Sequence, residues 1–300
     1  MDTAQHSPLR GILWMVCTGL CFVAVTALVK YLDNAVPAAQ AAFLRYLLGL
    51  VFLVPVWRAM RETRLTRRQW GLFGARGFVH ALAVICWFFA MTRIPIAEVT
   101  AMNYLAPVYV TLGAALFLGE TLAFRRILAI GAALVGAFII LRPGFREVNI
   151  GHIAMLGTAL MFAGSYLIAK VTSGEVPASI VVAMLSITVT IGLLPFALAV
   201  WVTPSLWALV VLFAVACFAT LGHYTMTLAF SAAPLAVTQP VTFLQLVWAV
   251  TLGVVVFGEA IDVWVIVGGV VIFGSVVFLT LREAQLKRRN VTPAVNAPKA

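Results

Sequence analysis

The sequence predicts an all-α integral membrane protein, with ten transmembrane helices arranged as two inverted five-helix repeats. Three observations predict it. The chain is 63% hydrophobic and only 10% charged, with mean hydropathy +1.08, whereas a soluble domain is usually about 25% charged. Apolar stretches of the roughly 20 residues needed to cross a bilayer recur end to end. The first half also recurs in the second. Gly11, Met15, Thr18, Leu20, Phe22, Lys30 and Pro37 reappear 140 residues on as Gly151, Met155, Thr158, Leu160, Phe162, Lys170 and Pro177. Ala90, Pro95, Ala97, Leu105, Val108, Gly119 and Glu120 reappear 139 residues on as Ala229, Pro234, Ala236, Leu244, Val247, Gly258 and Glu259. A register that holds to within one residue marks a duplicated unit.

In order, the spans are 11–31, 38–57, 70–92, 96–118, 124–142, 151–171, 178–201, 205–229, 235–257 and 262–281. The first is longer than the apolar core of a signal peptide, and its counterpart at 151–171 lies mid-chain, where no signal acts. Trp57 and Trp70 flank the loop after span two, Trp201 and Trp207 the loop after span seven, and Trp264 opens span ten. Indole prefers the headgroup level, so these mark span ends. Pro95 and Pro234 open spans four and nine, where a fixed φ suits a first turn. Gly119–Glu120 and Gly258–Glu259 close them. Glycine tolerates the positive φ of a helix C-terminus, and the glutamate opposes the dipole of the next helix; the functional alternative is a coupling carboxylate. Gly131 and Gly136 of span five match Gly269 and Gly274 of span ten. Small residues let helix backbones approach, within one chain or across a weak dimer. Segment 143–150 carries turn residues and charge, and joins the halves. The first repeat is thus 1–142, the second 151–283, and a disordered cytoplasmic tail occupies 284–300.

Five spans is an odd number, so the second copy enters the membrane from the opposite side. Charge sets the orientation. With the N-terminus inside, 14 of the 20 Lys and Arg fall on one side, including Arg58, Arg61, Arg64, Arg67 and Arg68 in a single loop. The other side holds Lys30, Arg93, Arg142 and Arg146, while Arg45 and Arg76 lie within spans. That asymmetry puts both termini in the cytoplasm of a bacterial-type inner membrane. Basic loops of this kind meet anionic lipid, so the net charge of +10 implies a bilayer partner and no nucleic acid.

The sequence contains no His-Glu-x-x-His, Gly-x-Ser-x-Gly or P-loop motif and no paired intramembrane carboxylates, so no enzyme, cofactor or metal centre is expected. Cys17, Cys21, Cys86 and Cys217 all lie within spans and behave as buried thiols. What remains informative is polar chemistry at membrane depth, which is costly in lipid unless it faces a cavity or a partner. Arg76, His80 and Trp87 fall within about 40° of one another on span three. On span eight Thr220, His223 and Thr227 form a stripe, with Tyr224 beside it. Thr100 and Asn103 of span four correspond to Gln239 and Thr242 of span nine, and Ala106 to Gln245; Trp248 lies near the middle of that span. Span six adds Ser165 and Tyr166. The candidate substrate-binding set is Arg76, His80, Trp87, Asn103, Tyr166, His223, Tyr224, Gln239, Gln245 and Trp248. The plainer readings are that a hydroxyl bonds its own helix backbone, that the histidines pack, and that Arg76 snorkels to the surface. Arg45 reads as structural.

Ala-Phe-Leu-Arg-Tyr at 42–46, Ile-Pro-Ile-Ala-Glu at 94–98, Ala-Pro-Val at 106–108, Leu-Gly-Glu at 118–120 and Leu-Arg-Pro-Gly at 141–144 carry a family likeness. Together with the repeat, they resemble the EamA-type ten-span family of the drug/metabolite transporter superfamily over roughly 10–283. The resemblance implies a carrier with a central cavity, in a family that includes amino-acid exporters and importers of larger metabolites such as S-adenosylmethionine or riboflavin. One departure stands out: Leu246 occupies the place of Pro107.

The expectation is an inner-membrane secondary transporter of small organic metabolites, working by alternating access around a midplane cavity as a monomer or weak dimer. Amino-acid export leads, with Arg76 meeting a carboxylate and Trp87 and Trp248 an apolar side chain. Uptake of a larger metabolite is the alternative, and a channel-like pore the second. The spans hold no clear midplane carboxylate, Glu98 lying near the start of span four. Facilitated diffusion or exchange is therefore expected, with at most a pH dependence linked to His80 and His223; the alternative is that Glu98 reaches the cavity and carries a proton.

Overall fold

In a computed structural model, residues 8–33, 35–118, 124–145, 147–173, 175–233, 238 and 241–291 are described, and the secondary structure of these residues is essentially all helical. The helices are α1 (Pro8–Leu32), α2 (Ala38–Gly49), α3 (Trp57–Glu62), α4 (Arg67–Met91), α5 (Ile96–Asn103), α6 (Leu105–Leu118), α7 (Phe124–Leu141), α8 (Ile150–Ser173), α9 (Ala178–Ala199), α10 (Leu206–Ala232), α11 (Leu244–Phe257) and α12 (Val263–Val291). Among the described residues, eight helical segments are long and apolar enough to cross a membrane, and two are shorter, Ile127–Leu141 and Leu244–Phe257. The eight longer segments coincide with eight of the expected spans, and the two shorter helices fall within expected spans five and nine.

Among the described residues three spans are broken: span nine at Phe243, where Leu246 stands in the place of Pro107, and spans two and four beside a proline. Span two leaves α-geometry at Leu50 and continues as a 3₁₀ segment, Leu50–Val56, before α3. Pro55 lacks an N–H and disfavours α-geometry in the residue before it. Span four breaks between α5 and α6 at Tyr104, where the Pro107 ring would meet the carbonyl of Asn103. The disordered tail expected from 284 is corrected over its first residues. Helix α12 runs on to Val291, because Ala-Gln-Leu-Lys-Arg-Arg at 284–289 are good helix formers. Residues 292–300 lie outside the described residues.

Helix ends gather at two poles. At one, Thr66 and Gln69 form a capping box that starts α4. There Arg68 reaches Glu175 at 2.5 Å, and Gln69 Nε2 donates to the same carboxylate at 3.0 Å. The Arg68 guanidinium, then the Gln69 amide, hold the Glu175 carboxyl below the ordinary carboxylate range. At the other pole the Lys30 ammonium lies 2.5 Å from Glu259 and donates to Ile94 O at 3.1 Å. Gln40 there exchanges hydrogen bonds with the backbone of Val202. Helix α1 therefore ends at the pole where α8 begins.

The packing follows the repeat register. α1 lies against α10 and α8 against α4, while α2 meets α9 and α7 meets α12. Thr18 of α1 bonds Thr225 of α10 at 2.9 Å; its counterpart Thr158 of α8 bonds Ala83 O of α4 at 3.3 Å. A Cβ at Gly11 would meet Ala233, and one at Gly151 would meet Ile94 and Arg93. Residues 94 and 233 are 139 apart, the offset of the second block of matches.

Glycine chemistry is partly as expected. Gly258 caps α11 with φ 63°. Its neighbour Glu259 does not serve the next helix; it accepts the Ile96 N–H at the start of α5 at 3.0 Å. Gly119–Glu120 and Pro234 lie outside the described residues. Helices α7 and α12 approach through Gly136 and Gly268, where a Cβ on either would come within 2.8 Å or less of the other's carbonyl oxygen. Gly131 and Gly274 face open space, and Gly269 packs on Leu246 and Ala101. The span-end tryptophans Trp57, Trp70, Trp201, Trp207 and Trp264 are all exposed, as interfacial anchors should be.

Candidate functional site

The site is built on α4. Its period places Arg76, His80 and Trp87 on one face, and α2, α8 and α9 pack around it. Both ring nitrogens of His80 are engaged: Nε2 lies 3.0 Å from the Tyr46 hydroxyl and Nδ1 lies 3.0 Å from Ser165 Oγ. Each hydroxyl can donate or accept, so either tautomer fits. The imidazole thereby ties α2, α4 and α8 together at 7% exposure.

An aromatic layer sits beside it. The Phe162 ring is 4.9 Å from that of His80 and 6.1 Å, edge-on, from that of Trp87. Tyr166 stacks on Phe162 at 5.9 Å, with 17° between planes. Tyr166 is 44% exposed, yet its phenol lies within the field of Arg76 and Tyr46 on the facing helices. One face of its ring stacks on Phe162 and the other is left uncovered.

Arg76 does not snorkel. It is 6% exposed, and one guanidinium nitrogen donates to Val181 O of α9 at 3.2 Å. Its Nε has no partner, and neither do Trp87 Nε1 and Asn103 Oδ1. Among the described residues only one other buried side-chain atom, Arg142 Nε, shares that condition. Three predicted residues thus present unsatisfied polar atoms, the state expected of groups that await a ligand or water.

The structure gathers Arg76, His80, Trp87 and Tyr166 into one cluster. His223 joins it electrostatically from α10, since Arg45 and Arg76 both act on it, while its ring meets Phe22 edge-on at 5.2 Å. Other residues of the candidate set fall elsewhere. Asn103 sits at the break between α5 and α6. Gln245 backs onto α1, where a Cβ at Gly19 would lie 3.6 Å from its own Cβ. Tyr224 is 62% exposed and Trp248 36%, and neither makes a ring contact with the cluster among the described residues. Gln239 lies outside the described residues. Sequence reasoning missed Tyr46 and Phe162 as members of this cluster; the guanidinium of Arg45 covers the Tyr46 ring at 4.1 Å. Tyr46 was visible only as the last residue of the 42–46 motif.

At the Lys30–Glu259 pole, further ion pairs join the two halves. His152 Nε2 contacts the Glu98 carboxylate, both groups being buried, and Arg142 contacts Asp262. A cleft of about 350 Å³ opens at this pole between α1, α2 and α4, lined by Leu32, Pro37, Phe88 and Arg93 among others. None of the candidate residues lines it.

Comparison with known proteins gives a consistent result. A riboflavin transporter of Vibrio cholerae is 27% identical over 95% of this chain and 97% of its own. A pseudopaline exporter of Pseudomonas aeruginosa is 27% identical over 74% of this chain and 78% of its own. An S-adenosylmethionine uptake transporter of Rickettsia prowazekii is 23% identical over 87% and 89%. A crystal structure of a protein with 20% identity superposes with a TM-score of 0.61, covering 92% of this chain and 99% of that one, which bears on the fold alone. The profile of the EamA-like transporter family matches twice, at residues 9–142 and 149–281. The chain is a multi-pass membrane metabolite transporter and belongs to the EamA-like transporter family.

Proposed function

We propose that this carrier takes up a metabolite built on a planar heteroaromatic ring, of the size of riboflavin. The observation that carries the reading is the ring layer formed by His80, Phe162 and Tyr166, with one Tyr166 face open and Trp87 at its edge. Aromatic faces hold flat ligands by offset stacking, and riboflavin and S-adenosylmethionine both carry a flat heterocycle. Amino-acid export is the weaker reading, since none of the three relatives is named for an amino acid and such a substrate would leave most of the layer unused. Uptake follows the S-adenosylmethionine transporter, whose likeness spans more of the chain than the exporter's.

The transport cycle we propose is alternating access. The two halves, 1–142 and 151–283, are ten spans in inverted repeats that rock about the α4–α8 site. Matched contacts at Thr18 and Thr158, and the opposite directions of α1 and α8, support that arrangement. The 14-to-4 split of Lys and Arg supports cytoplasmic termini in an inner membrane. The chain acts as a monomer, with the Gly136–Gly268 approach used internally. The test is counterflow: proteoliposomes loaded with riboflavin should accumulate labelled riboflavin transiently and saturably. Linear, unsaturable flux would indicate a pore, and no flux with riboflavin or S-adenosylmethionine would refute the substrate class.

A further inference from the structure

Four groups that carry or can carry positive charge converge on the ring layer. Arg76 and His80 come from α4, Arg45 from α2 and His223 from α10. The groups whose fields act on the His80 ring are Arg76, Arg45 and His223. Arg45 and Arg76 are 7% and 6% exposed. Among the described residues neither has a carboxylate partner. Arg45 is offset only by the Tyr46 ring, and Arg76 only by the Val181 carbonyl, with its Nε left unpaired. Elsewhere in the protein, buried or half-buried cations do have acid partners: Lys30 has Glu259 and Arg142 has Asp262.

An arginine cannot escape burial by losing its proton. Two guanidinium groups taken out of water without a counter-anion are costly, and a carbonyl and a ring face compensate only in part. Ionisable groups inside a membrane domain mark the substrate path. The planar fork of guanidinium matches the oxygens of a carboxylate or phosphate. Because Arg76 lies one turn of α4 from His80, whose ring packs on Phe162, such an oxyanion would lie beside the stacking surface.

We infer that the substrate carries an oxyanion, a carboxylate or a phosphate, which Arg45 and Arg76 hold beside the ring layer. This assigns Arg45 a binding role in place of the structural one its sequence position suggested, and makes the two arginines determinants of substrate charge. The inference rests on the planar-ring carrier reading above and sharpens it.

The experiment compares one ring system with and without the anion. Riboflavin and riboflavin 5′-phosphate are titrated into the purified full-length protein, with glutarate and phenyl phosphate as oxyanions that lack the ring system. Wild type should prefer the phosphate ester over riboflavin by about tenfold, the scale of one charge-assisted contact. Arg45→Gln and Arg76→Gln should each bring that ratio towards one while riboflavin affinity persists. Arg45→Lys and Arg76→Lys should retain most of it. The ratio is measured within each variant, so a general loss of stability does not move it. Equal affinities in wild type, or an undiminished preference in both Gln variants, would overturn the inference and leave the planar-ring reading intact. Arginine-dependent binding of glutarate or phenyl phosphate with no binding of either flavin would uphold the inference and remove the planar ring. Failure of every oxyanion to bind would overturn it.

Discussion

Lys30 and Glu259 meet at 2.5 Å across the two halves of the chain, one at the end of α1 and the other just after α11. The same carboxylate accepts the first N–H of α5, so one side chain ties together three elements at one pole. The pair is mostly buried. Removing one partner should therefore cost about 2 kcal/mol, between the values for exposed and fully buried pairs. Lys30→Met or Glu259→Gln should lower the melting temperature in detergent, whereas Lys30→Met combined with Glu259→Met should lose less than the worse single change. Additive losses in the double variant would show that the two charges do not act as a pair.

Glu98 and His152 make a second link at that pole, and here burial is nearly complete. His152→Ala removes one hydrogen-bond partner of a buried carboxylate and should destabilise by about 2 kcal/mol. Glu98→Gln should cost less, because the amide can still hydrogen-bond the imidazole. Thermal unfolding of the two variants in parallel checks the order. An equal or reversed order would mean that the charge on Glu98 is balanced elsewhere.

The legibility of this chain divides along a physical line. The all-helical membrane class and eight long apolar helices were readable because a lipid-facing helix must be long and apolar, which leaves its mark in composition. Arg76, His80 and Trp87 were readable as one face because helical period alone sets that. Tyr46, Ser165 and Phe162 come to the same point from α2 and α8, and helix crossing is not encoded in any local pattern. The Glu98–His152 contact joins residues 54 apart, each at the start of its own helix, and nothing near either names the other. Tyr224 and Trp248 illustrate a limit of the sequence pattern: an aromatic at membrane depth looks the same facing a cavity or facing lipid. The break at Tyr104 carries a local signal in Pro107, whereas the matching break at Phe243 does not, since Leu246 stands at the equivalent place.

Close approach of α7 and α12 gives a paired test. A methyl at Gly136 would lie 2.7 Å from the Ile272 side chain and 2.8 Å from Gly268 O, whereas one at Gly131 would meet nothing within 4 Å. Gly136→Ala should destabilise by about 2 kcal/mol through overpacking. Gly131→Ala should be neutral or slightly stabilising, since alanine favours helix. Melting temperatures of the two variants decide it, and equal effects would place the helix contact elsewhere.

Within the candidate set, the structure separates residues by effect on transport. His80→Ala should lower riboflavin counterflow by about tenfold, as expected for loss of a buried, doubly bonded group. Gln245→Ala and Tyr224→Ala should stay within about twofold of wild type, since among the described residues no contact joins either side chain to the cluster. Folded yield, followed by size exclusion, should be unchanged for the latter two. A larger loss for Gln245→Ala than for His80→Ala would move the site to α11.

The most direct measurement of the central claim is the quenching of riboflavin fluorescence by the purified protein, because stacking against an aromatic ring quenches the flavin while simple partition into detergent does not. The account predicts saturable quenching in wild type and in Trp248→Ala. It predicts at least about tenfold weaker binding in Phe162→Ala and Tyr166→Ala, which remove the stacking surface. Undiminished quenching in both ring variants, with both running as folded monomers, would contradict it.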